Sequence, residues 1–242
     1  MRILMILPAY NEEKNIVSAA DQIRNCRFSE GIYVDIIVIN DGSKDKTEKV
    51  CRDNGIPCIS LVHNLGIGGA VQTGYIFAAM QDYDIAVQFD GDGQHRPEFI
   101  EPMRKKMEEG YEIVIGSRFV NAKKDWSMRM VGSRLIEAAI RLTTGVTVND
   151  PTSGMRMFNR AMVEEFAQNL NYGPEPDTIS YLIKNGATVK EVQVEMGERL
   201  AGQSYLTFWR SVQYMVKMSI SILLIQWFRK RDTETPYPER SL

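Results

Sequence analysis

Short apolar runs recur along the whole chain, and each is separated from the next by a turn and a segment with helical spacing of apolar residues. Runs of this length are typical of buried strands, and the alternation of strand and helix predicts an α/β fold. The predicted strands are Arg2 to Leu7, Tyr33 to Asn40, Cys58 to Val62, Ile85 to Phe89, Tyr111 to Ile115, a short strand entered from the polar turn at Asp150, and Ala187 to Val194.

The first predicted strand leads into a loop with two recognisable signals. Pro8 is expected to stop the strand because proline has no backbone N–H to donate. Asn11 is expected to cap the helix that follows, since asparagine is a favoured N-cap residue and acidic residues come directly after it. A strand–loop–helix unit therefore opens the chain.

An acidic turn follows the strand that ends at Phe89. Asp90 and Asp92 alternate with Gly91 and Gly93, and Gln94 comes next. Ligands bind at the carboxyl ends of strands in open α/β sheets, and oxygen ligands of this kind suit Mg²⁺ or Mn²⁺. An isolated motif of this length is more often a solvated turn, so the prediction depends on its position and on the other segments.

Glycines cluster at the predicted start of the third helix. Gly66, Gly68 and Gly69 there would let the backbone approach a phosphate, with N–H groups directed outward. They do not form a dinucleotide fingerprint, because Val71 stands where a third glycine is needed. The fingerprint also belongs directly after the first strand, whereas these glycines follow the third predicted strand. Tight packing of the helix on the sheet explains Gly68 and Gly69 equally well.

Composition adds little except through local charge. The 242 residues are 44% hydrophobic and 25% charged, with a net charge of −2, which predicts one globular domain without overall attraction to nucleic acid. Six basic residues lie between Arg118 and Arg141, and six between Arg199 and Arg231. The three cysteines have no metal-ligand spacing and no signal peptide is recognisable, so a reduced cytoplasmic protein is expected.

The segment from residue 206 to 231 differs from the rest of the chain. It combines aromatic and aliphatic residues with basic ones and has no acids, yet its apolar run from Met218 to Phe228 has only eleven residues. A spanning helix needs about 20. We therefore expect the chain to consist of one domain over residues 1–205, an amphipathic helix over 206–231 and a tail over 232–242. The helix is expected to lie at an anionic membrane interface. Packing on the domain or in a dimer is the alternative.

Six motifs in a fixed order give a more specific indication than any one of them. The sequence resembles the family-two inverting glycosyltransferases, and is most similar to the branch of dolichol-phosphate mannose synthase and the bacterial polyprenyl-phosphate hexose synthases. The resemblance spans residues 3 to about 206. Its motifs are Pro8-Ala9-Tyr10-Asn11-Glu12, Asn40-Asp41-Gly42-Ser43 with Asp45 and Thr47, Asn64-Leu65-Gly66, Asp90-Gly91-Asp92-Gly93-Gln94, Gly116-Ser117-Arg118 and Asp150-Pro151-Thr152-Ser153-Gly154.

This resemblance implies a GT-A fold, a Rossmann-like mixed sheet flanked by helices, and a nucleotide-sugar donor bound with Mg²⁺ or Mn²⁺. Asp41 would accept a hydrogen bond from the base, and Asn64 and Gly68 would lie near the nucleotide. The remaining implied roles are a nucleoside pocket of Pro8, Tyr10 and Glu12, metal ligands Asp90, Asp92 and Gln94, and a mobile loop with Arg199, Gly202, Gln203 and Ser204.

The nature of the acceptor decides which further residues are needed. A phosphate acceptor is already ionised and needs positioning, for which Arg118, Arg129 or Arg134, and Arg199 are candidates because guanidinium groups fit phosphate oxygens. A solvated basic face explains Arg129 and Arg134 equally well. A hydroxyl acceptor needs a carboxylate base, for which Asp150 is the candidate, although its motif also reads as a structural turn.

Three functions remain open from the sequence. The first is transfer of a hexosyl unit from a nucleotide sugar to polyprenyl phosphate, by an enzyme peripheral to the cytoplasmic face of the membrane. The second is transfer to a glycan hydroxyl in polysaccharide synthesis, and the third is a non-catalytic nucleotide-sugar-binding subunit. The donor is UDP- or GDP-linked, with UDP-glucose or UDP-N-acetylglucosamine favoured by family analogy alone. A small membrane protein partner and a homo-oligomer both remain open.

Overall fold

A computed structural model describes residues 1–91, 93–122, 124, 128–168, 175–197 and 208–224. Within these residues, strands and helices alternate as the sequence predicts. The strands are β1 (Arg2–Ala9), β2 (Tyr33–Asn40), β3 (Cys58–Ser60), β4 (Ile85–Gln88), β5 (Ile113–Ser117), β6 (Arg156–Asn159) and β7 (Val189–Gln193). The helices are α1 (Ile16–Asn25), α2 (Thr47–Asp53), α3 (Gly66–Met80), α4 (Ile100–Glu108), α5 (Met128–Thr144), α6 (Arg160–Gln168), α7 (Pro176–Lys184) and α8 (Phe208–Leu223), with a 3₁₀ turn at Pro97–Phe99.

All the strands named above belong to one mixed sheet, in the order β3-β2-β1-β4-β6-β5-β7. Strand β6 runs antiparallel to both β4 and β5, whereas the other neighbouring pairs are parallel. The carboxyl ends of β1 to β5 and β7 therefore lie at one edge of the sheet, together with the amino end of β6.

The sheet separates two apolar cores, as expected for strands that are buried on both faces. One core contains Leu4 and Ile6 of β1 with residues of α3, α5, α6, α7 and α8. The other contains Ile3 and Met5 of the same strand with residues of α1 and α4. Successive residues of β1 thus contribute to opposite layers, which fixes the register of this strand.

Helix α3 packs very closely on β1 at Gly74. An added Cβ at Gly74 would come within 2.4 Å of the Ile6 side chain, so no larger residue fits there without movement. At Gly69 an added Cβ would instead lie 2.6 Å from the side chain of Leu65, the N-cap residue of the same helix. This contact lies within α3 itself, so packing on the sheet as the reason for Gly68 and Gly69 stays a prediction.

The first loop differs from the prediction in two respects. Strand β1 continues through Pro8 to Ala9, pairing with Ile39 and Asn40 of β2. Helix α1 begins only at Ile16, and Asn11 is not its cap but has a left-handed φ of 59°. The Asn11 side chain instead accepts a hydrogen bond of 2.8 Å from the backbone N–H of Lys44, a long-range contact that local capping rules do not foresee.

Helices α5 and α8 pack against each other at Gly132, where an added Cβ would lie 2.5 Å from Met215. Both helices bury one side in the first core through residues such as Ile136 and Ile222. Among the described residues, no helix has both the length and the apolar character needed to span a membrane.

Candidate active site

The edge that carries the carboxyl ends of the strands brings together most of the residues singled out in the sequence. Tyr10 follows β1, Asp41 follows β2, Asp90 lies just beyond β4, and Arg118 follows β5. The turn that begins at Asp150 leads into β6 at the same edge. Residues far apart in the chain thus share one surface because parallel strands end together.

Asp41 is held firmly at the end of β2. Its side chain is buried, and its Oδ1 accepts a hydrogen bond of 2.7 Å from the backbone N–H of Leu65. The Asn64 side chain donates to the Asp41 carbonyl oxygen over 3.1 Å. The carboxylate is thus fixed between the end of β2 and the start of α3.

Gly42 is required for this junction. Its φ of 66° is a left-handed conformation, and an added Cβ would lie 2.9 Å from the backbone nitrogen of Asn64. A side chain at position 42 would therefore push the Asn64 segment away from Asp41.

Side chains and backbone N–H groups connect the loops that follow β1 and β2. Each bond joins a backbone N–H of the first loop to a side-chain oxygen of the second: Asn11 to Ser43 (2.9 Å), Glu12 to Thr47 (2.9 Å) and Glu13 to Asp45 (3.1 Å). Burial alone would raise the pKa of the Asp45 carboxyl, but hydrogen bonds from Thr47 and Glu13 lower it below its ordinary value. The two loops therefore form one rigid wall beside Tyr10 and Glu12.

The acidic turn folds back on itself after Asp90. The backbone N–H of Asp90 donates to Nδ1 of His95 over 2.9 Å, which closes the turn. Gly91 contacts Ile16 and the Pro8 carbonyl oxygen so closely that an added Cβ would lie 3.3 and 3.4 Å away. The turn is thereby seated on the loop after β1.

The described part of this turn fits a divalent cation. Oδ1 of Asp90 is buried and accepts no hydrogen bond within the part of the chain that the structure describes, so it is a carboxylate oxygen in need of a positive partner. Gln94 lies on the same turn, and its side chain approaches the Gly197 carbonyl oxygen at 3.5 Å. Asp92, the second predicted carboxylate, lies outside the described residues. Among the described residues, which do not include Asp92, no three or more His, Cys, Asp or Glu side chains form a cluster suited to a metal.

Gly154 forms the wall opposite the Asp90 carboxylate. An added Cβ at Gly154 would lie 2.3 Å from Oδ2 and 3.1 Å from Oδ1 of Asp90. The glycine of the Asp-Pro-Thr-Ser-Gly motif is therefore explained by the space that this carboxylate needs.

Arg118 and Asp150 form a bidentate ion pair across two loops. Arg118 donates from Nε and Nη2 to the two oxygens of Asp150 over 2.7 and 2.8 Å, and its backbone N–H donates over 3.1 Å. Burial disfavours the charge of the Arg118 guanidinium, but the hydrogen bonds and charge of Asp150 outweigh this and raise its pKa above the ordinary value. Arg118 thus stays charged at the edge of the sheet.

Asp150 is completely buried and is held from a third side by Glu191. Glu191 accepts hydrogen bonds from the backbone N–H groups of Asn149 and Asp150, over 2.7 and 2.8 Å. With its oxygens engaged by Arg118, Asp150 is placed to support an arginine rather than to receive a proton from a hydroxyl. The geometry favours the structural interpretation of this motif, and the role of base stays a prediction.

Two functional candidates were missed in the sequence. Gln88 and Arg156 are paired across β4 and β6, and both side chains are 3% exposed. Arg156 donates from Nη2 to the Pro151 carbonyl oxygen over 2.7 Å, but its Nε and Nη1 and the Oε1 of Gln88 have no hydrogen-bond partner among the described residues. Such groups call for ordered water or another polar partner. The only sequence signal was an arginine within an apolar strand.

Other predicted residues are placed only in part. Arg134 lies on α5 and donates to the Lys124 carbonyl oxygen over 2.9 Å. Arg129 lies on the same helix, and its side chain is outside the description. Arg199 and Ser204, with Gly202 and Gln203, lie outside the described residues. The described chain before them passes the acidic turn, where the Gly197 N–H donates to the Gln94 carbonyl oxygen over 2.8 Å.

Comparison with known proteins agrees with this arrangement. The sequence model of Glycosyl transferase family 2 matches residues 5–166, which is more than half of the chain. The chain belongs to glycosyltransferase family 2. The residues after 166, including α7, β7 and α8, lie beyond that match.

Two relatives extend the similarity over most of this glycosyltransferase. It is 31% identical to the UDP-N-acetylglucosamine–dolichyl-phosphate N-acetylglucosaminyltransferase of Methanococcus voltae over 217 residues, covering 80% of this chain and 84% of that protein. It is 28% identical to the polyprenol monophosphomannose synthase of Mycolicibacterium smegmatis over 219 residues, covering 85% and 81%. The predicted branch of the family is thereby confirmed.

A solved structure confirms the fold. Glucosyl-3-phosphoglycerate synthase from Mycobacterium tuberculosis, in complex with Mn²⁺, uridine diphosphate and phosphoglyceric acid, matches with a TM-score of 0.67 and 22% identity. The match covers 95% of this chain and 80% of that one. The glycosyltransferase therefore has the expected GT-A fold.

Proposed function

We propose that this glycosyltransferase moves a hexosyl unit from a nucleotide sugar to polyprenyl phosphate, with inversion at the anomeric carbon and with a divalent cation. The observation that carries the proposal is the order of groups along one edge. Asp41 is fixed at the end of β2, Oδ1 of Asp90 has no hydrogen-bond partner among the described residues, and Arg118 stays charged after β5. Names of the two relatives, which include dolichyl phosphate and polyprenol monophosphomannose, support the lipid acceptor.

The donor is assigned to the side of the edge formed by β1 and β2. Pro8, Tyr10 and Glu12 lie beside the rigid wall made by the two loops and form the nucleoside pocket. Asp41 reads the base, and Asn64 and Gly68 border the nucleotide at the start of α3. The nucleotide is UDP or GDP, and the sugar is a hexose or an N-acetylhexosamine.

Asp90 and Gln94, together with Asp92, are assigned to hold Mg²⁺ or Mn²⁺ at the donor's diphosphate. A bound dication stabilises the negative charge that develops on the departing nucleoside diphosphate. Within the described residues, the chain's own contribution is to leave Oδ1 of Asp90 without a hydrogen-bond partner, while Gly154 leaves space for the carboxylate and the acidic turn holds its backbone.

Arg118 is assigned to the acceptor phosphate. Strand β5 lies two strand spacings from β4, roughly 10 Å away, which leaves room for a sugar between the cation and the acceptor. Asp150 fixes two nitrogens of Arg118, and the guanidinium plane presents its remaining N–H groups to a phosphate. A phosphate oxygen is ionised at neutral pH and attacks without a base, which agrees with the engagement of Asp150. Arg134, Arg129, Arg199 and Ser204 are the further candidates on this side.

A lipid acceptor requires contact with a membrane, and α5 and α8 offer a surface for it. Exposed aliphatic residues follow one face of each helix: Val131, Leu135 and Leu142 on α5, and Val216, Ile220 and Leu223 on α8, with Leu224 next to it. Exposed basic residues, Arg141 and Lys217, lie beside these faces. Apolar faces with flanking cations suit an anionic bilayer surface. We place the protein peripherally on the cytoplasmic face of the membrane.

Product extraction tests this function directly. Purified protein, radiolabelled UDP- or GDP-sugars, Mg²⁺ or Mn²⁺ and undecaprenyl phosphate in detergent should give label in a butanol-soluble product. The product should be released by mild acid, as expected for a sugar linked to a lipid monophosphate. Arg118→Met should reduce labelling, while Arg2→Met, an exposed arginine at the opposite end of β1, should not. Transfer of label to a water-soluble glycan instead would overturn the lipid acceptor.

A further inference from the structure

His95 is a buried residue of the acidic turn to which the family motifs assign no role. Its side chain is 1% exposed, and its ring packs edge-on against Phe89 with centroids 5.3 Å apart. Nδ1 accepts the backbone N–H of Asp90 over 2.9 Å. A neutral ring that accepts at Nδ1 carries its proton on Nε2. The hydrogen-bonding role of one nitrogen therefore fixes the other nitrogen as a donor.

The second nitrogen also faces Asp90. Nε2 of His95 lies 3.7 Å from Oδ2 of Asp90, which is beyond a normal hydrogen bond, and Nε2 is buried without a partner among the described residues. Oδ1 of Asp90 is likewise buried and unpaired there. One imidazole ring therefore touches the main chain of Asp90 and borders its carboxylate.

A histidine with a purely structural role has a simpler arrangement. Buried polar atoms are nearly always satisfied within the protein, and an apolar ring would fill the same space against Phe89 without leaving an unpaired donor. Here Nε2, which has no hydrogen-bond partner among the described residues, lies beside Oδ2 of the Asp90 carboxylate, at the place where the cation is proposed to bind. The position of this N–H donor is therefore explained if the Asp90 carboxylate binds the cation.

We propose that His95 is a positioning residue that holds Asp90 in the orientation needed for the divalent cation. Nδ1 fixes the backbone of Asp90, and the N–H at Nε2 borders Oδ2 and restricts rotation of the carboxylate. Hydrogen bonds to the ligands of a metal commonly contribute 10- to 100-fold to its affinity. The inference rests on the proposed function, because it assumes that Asp90 is a ligand of the cation.

Binding of Mn²⁺ alone, followed by the electron paramagnetic resonance signal of the free ion, tests the inference without any turnover. His95→Phe retains the ring against Phe89 and removes both nitrogens, so we expect its Mn²⁺ affinity to fall at least tenfold. His95→Asn retains an acceptor close to the position of Nδ1 and should have an intermediate affinity. The other histidine, His63, is exposed, and His63→Phe should bind Mn²⁺ as the unchanged protein does.

The outcomes separate the inference from the proposed function. A His95→Phe protein that is folded and binds Mn²⁺ with unchanged affinity overturns the positioning role. If His95→Phe does not fold, equal affinities of His95→Asn and the unchanged protein overturn it. Equal affinities of Asp90→Asn and the unchanged protein would show that the cation binds elsewhere, and then the proposed metal site fails whatever His95 does.

Discussion

Substitution of Gly154 by alanine adds one methyl group directly against the Asp90 carboxylate. The new Cβ would lie 2.3 Å from Oδ2, and ordinary contact begins at 3.4 Å, so that oxygen has to move by about 1 Å. Gly154 is not among the glycines with a left-handed φ, so alanine fits its backbone. The substitution should therefore displace the Asp90 carboxylate without straining the backbone at Gly154.

Its effect on stability should be small, and its effect on cation binding should be large. Overpacking costs about 1–3 kcal/mol, but the Asp90 side chain is 32% exposed and can be displaced towards solvent more easily than a fully buried one. Alanine also recovers about 0.4–1 kcal/mol through the unfolded chain. The net loss should stay below about 1 kcal/mol. Metal ligands have to lie within about 0.2 Å of their ideal distances, so a shift of 1 Å should remove Asp90 as a ligand.

Isothermal titration with Mn²⁺ and urea unfolding measure the two quantities separately. We expect a tenfold or greater loss of affinity, at least about 1.4 kcal/mol, in Gly154→Ala. In an Asp90→Ala background the same methyl group meets no carboxylate, so Gly154→Ala should change neither the Mn²⁺ affinity nor the free energy of unfolding. The four proteins form a double-mutant cycle that isolates the interaction between the methyl group and the carboxylate. Gly197→Ala, whose added Cβ would lie 3.6 Å from the Gln94 carbonyl oxygen, is the matched control. A folded Gly154→Ala protein with unchanged affinity would refute the reasoning.

Three further predictions concern the rest of the molecule. Arg118→Met leaves the fully buried Asp150 without its guanidinium partner and should cost about 3 kcal/mol in urea unfolding, whereas Arg118→Lys should cost less; equal losses would contradict this. A hydrogen bond from an arginine on the same helix lowers the pKa of Glu101 to about 2, so Glu101→Gln should lower the free energy of unfolding at pH 7. The difference between the variant and the unchanged protein should shrink as the pH falls through about 4 towards 2, and a difference that does not depend on pH would argue against this. Ile220→Asp should reduce co-sedimentation with anionic liposomes, while Met80→Asp, an exposed position on α3, should not; equal effects would remove α8 from the membrane surface.

Much of the fold could be predicted because its strands are short and buried. The apolar runs around Ile6, Ile39 and Val87 stand out against polar turns, and each turn marks the end of a strand. Once the strands are taken as parallel, Asp41 and Asp90 must lie at one edge. The antiparallel direction of β6 could not be derived in this way, since neither its length nor its composition encodes direction.

The site was less predictable where contacts join distant residues. From the sequence, Asp150 is interpreted either as part of a structural turn or as a general base. Only the fold shows that Arg118, 32 residues earlier, binds both oxygens of its carboxylate. The need for Gly154 follows from Asp90, which is 64 residues away in the chain. His95 stands beside the acidic motif, yet its burial and its hydrogen bond to Asp90 depend on how the turn closes.

Crystals soaked with Mn²⁺ and UDP test the central claim most directly, through an anomalous difference map recorded at the manganese edge. We expect a single strong peak at about 2.2 Å from a carboxylate oxygen of Asp90, with the diphosphate of the nucleotide bound to the same ion. Nucleotide bound at this edge without a peak beside Asp90, or a peak at another place in the molecule, would contradict it.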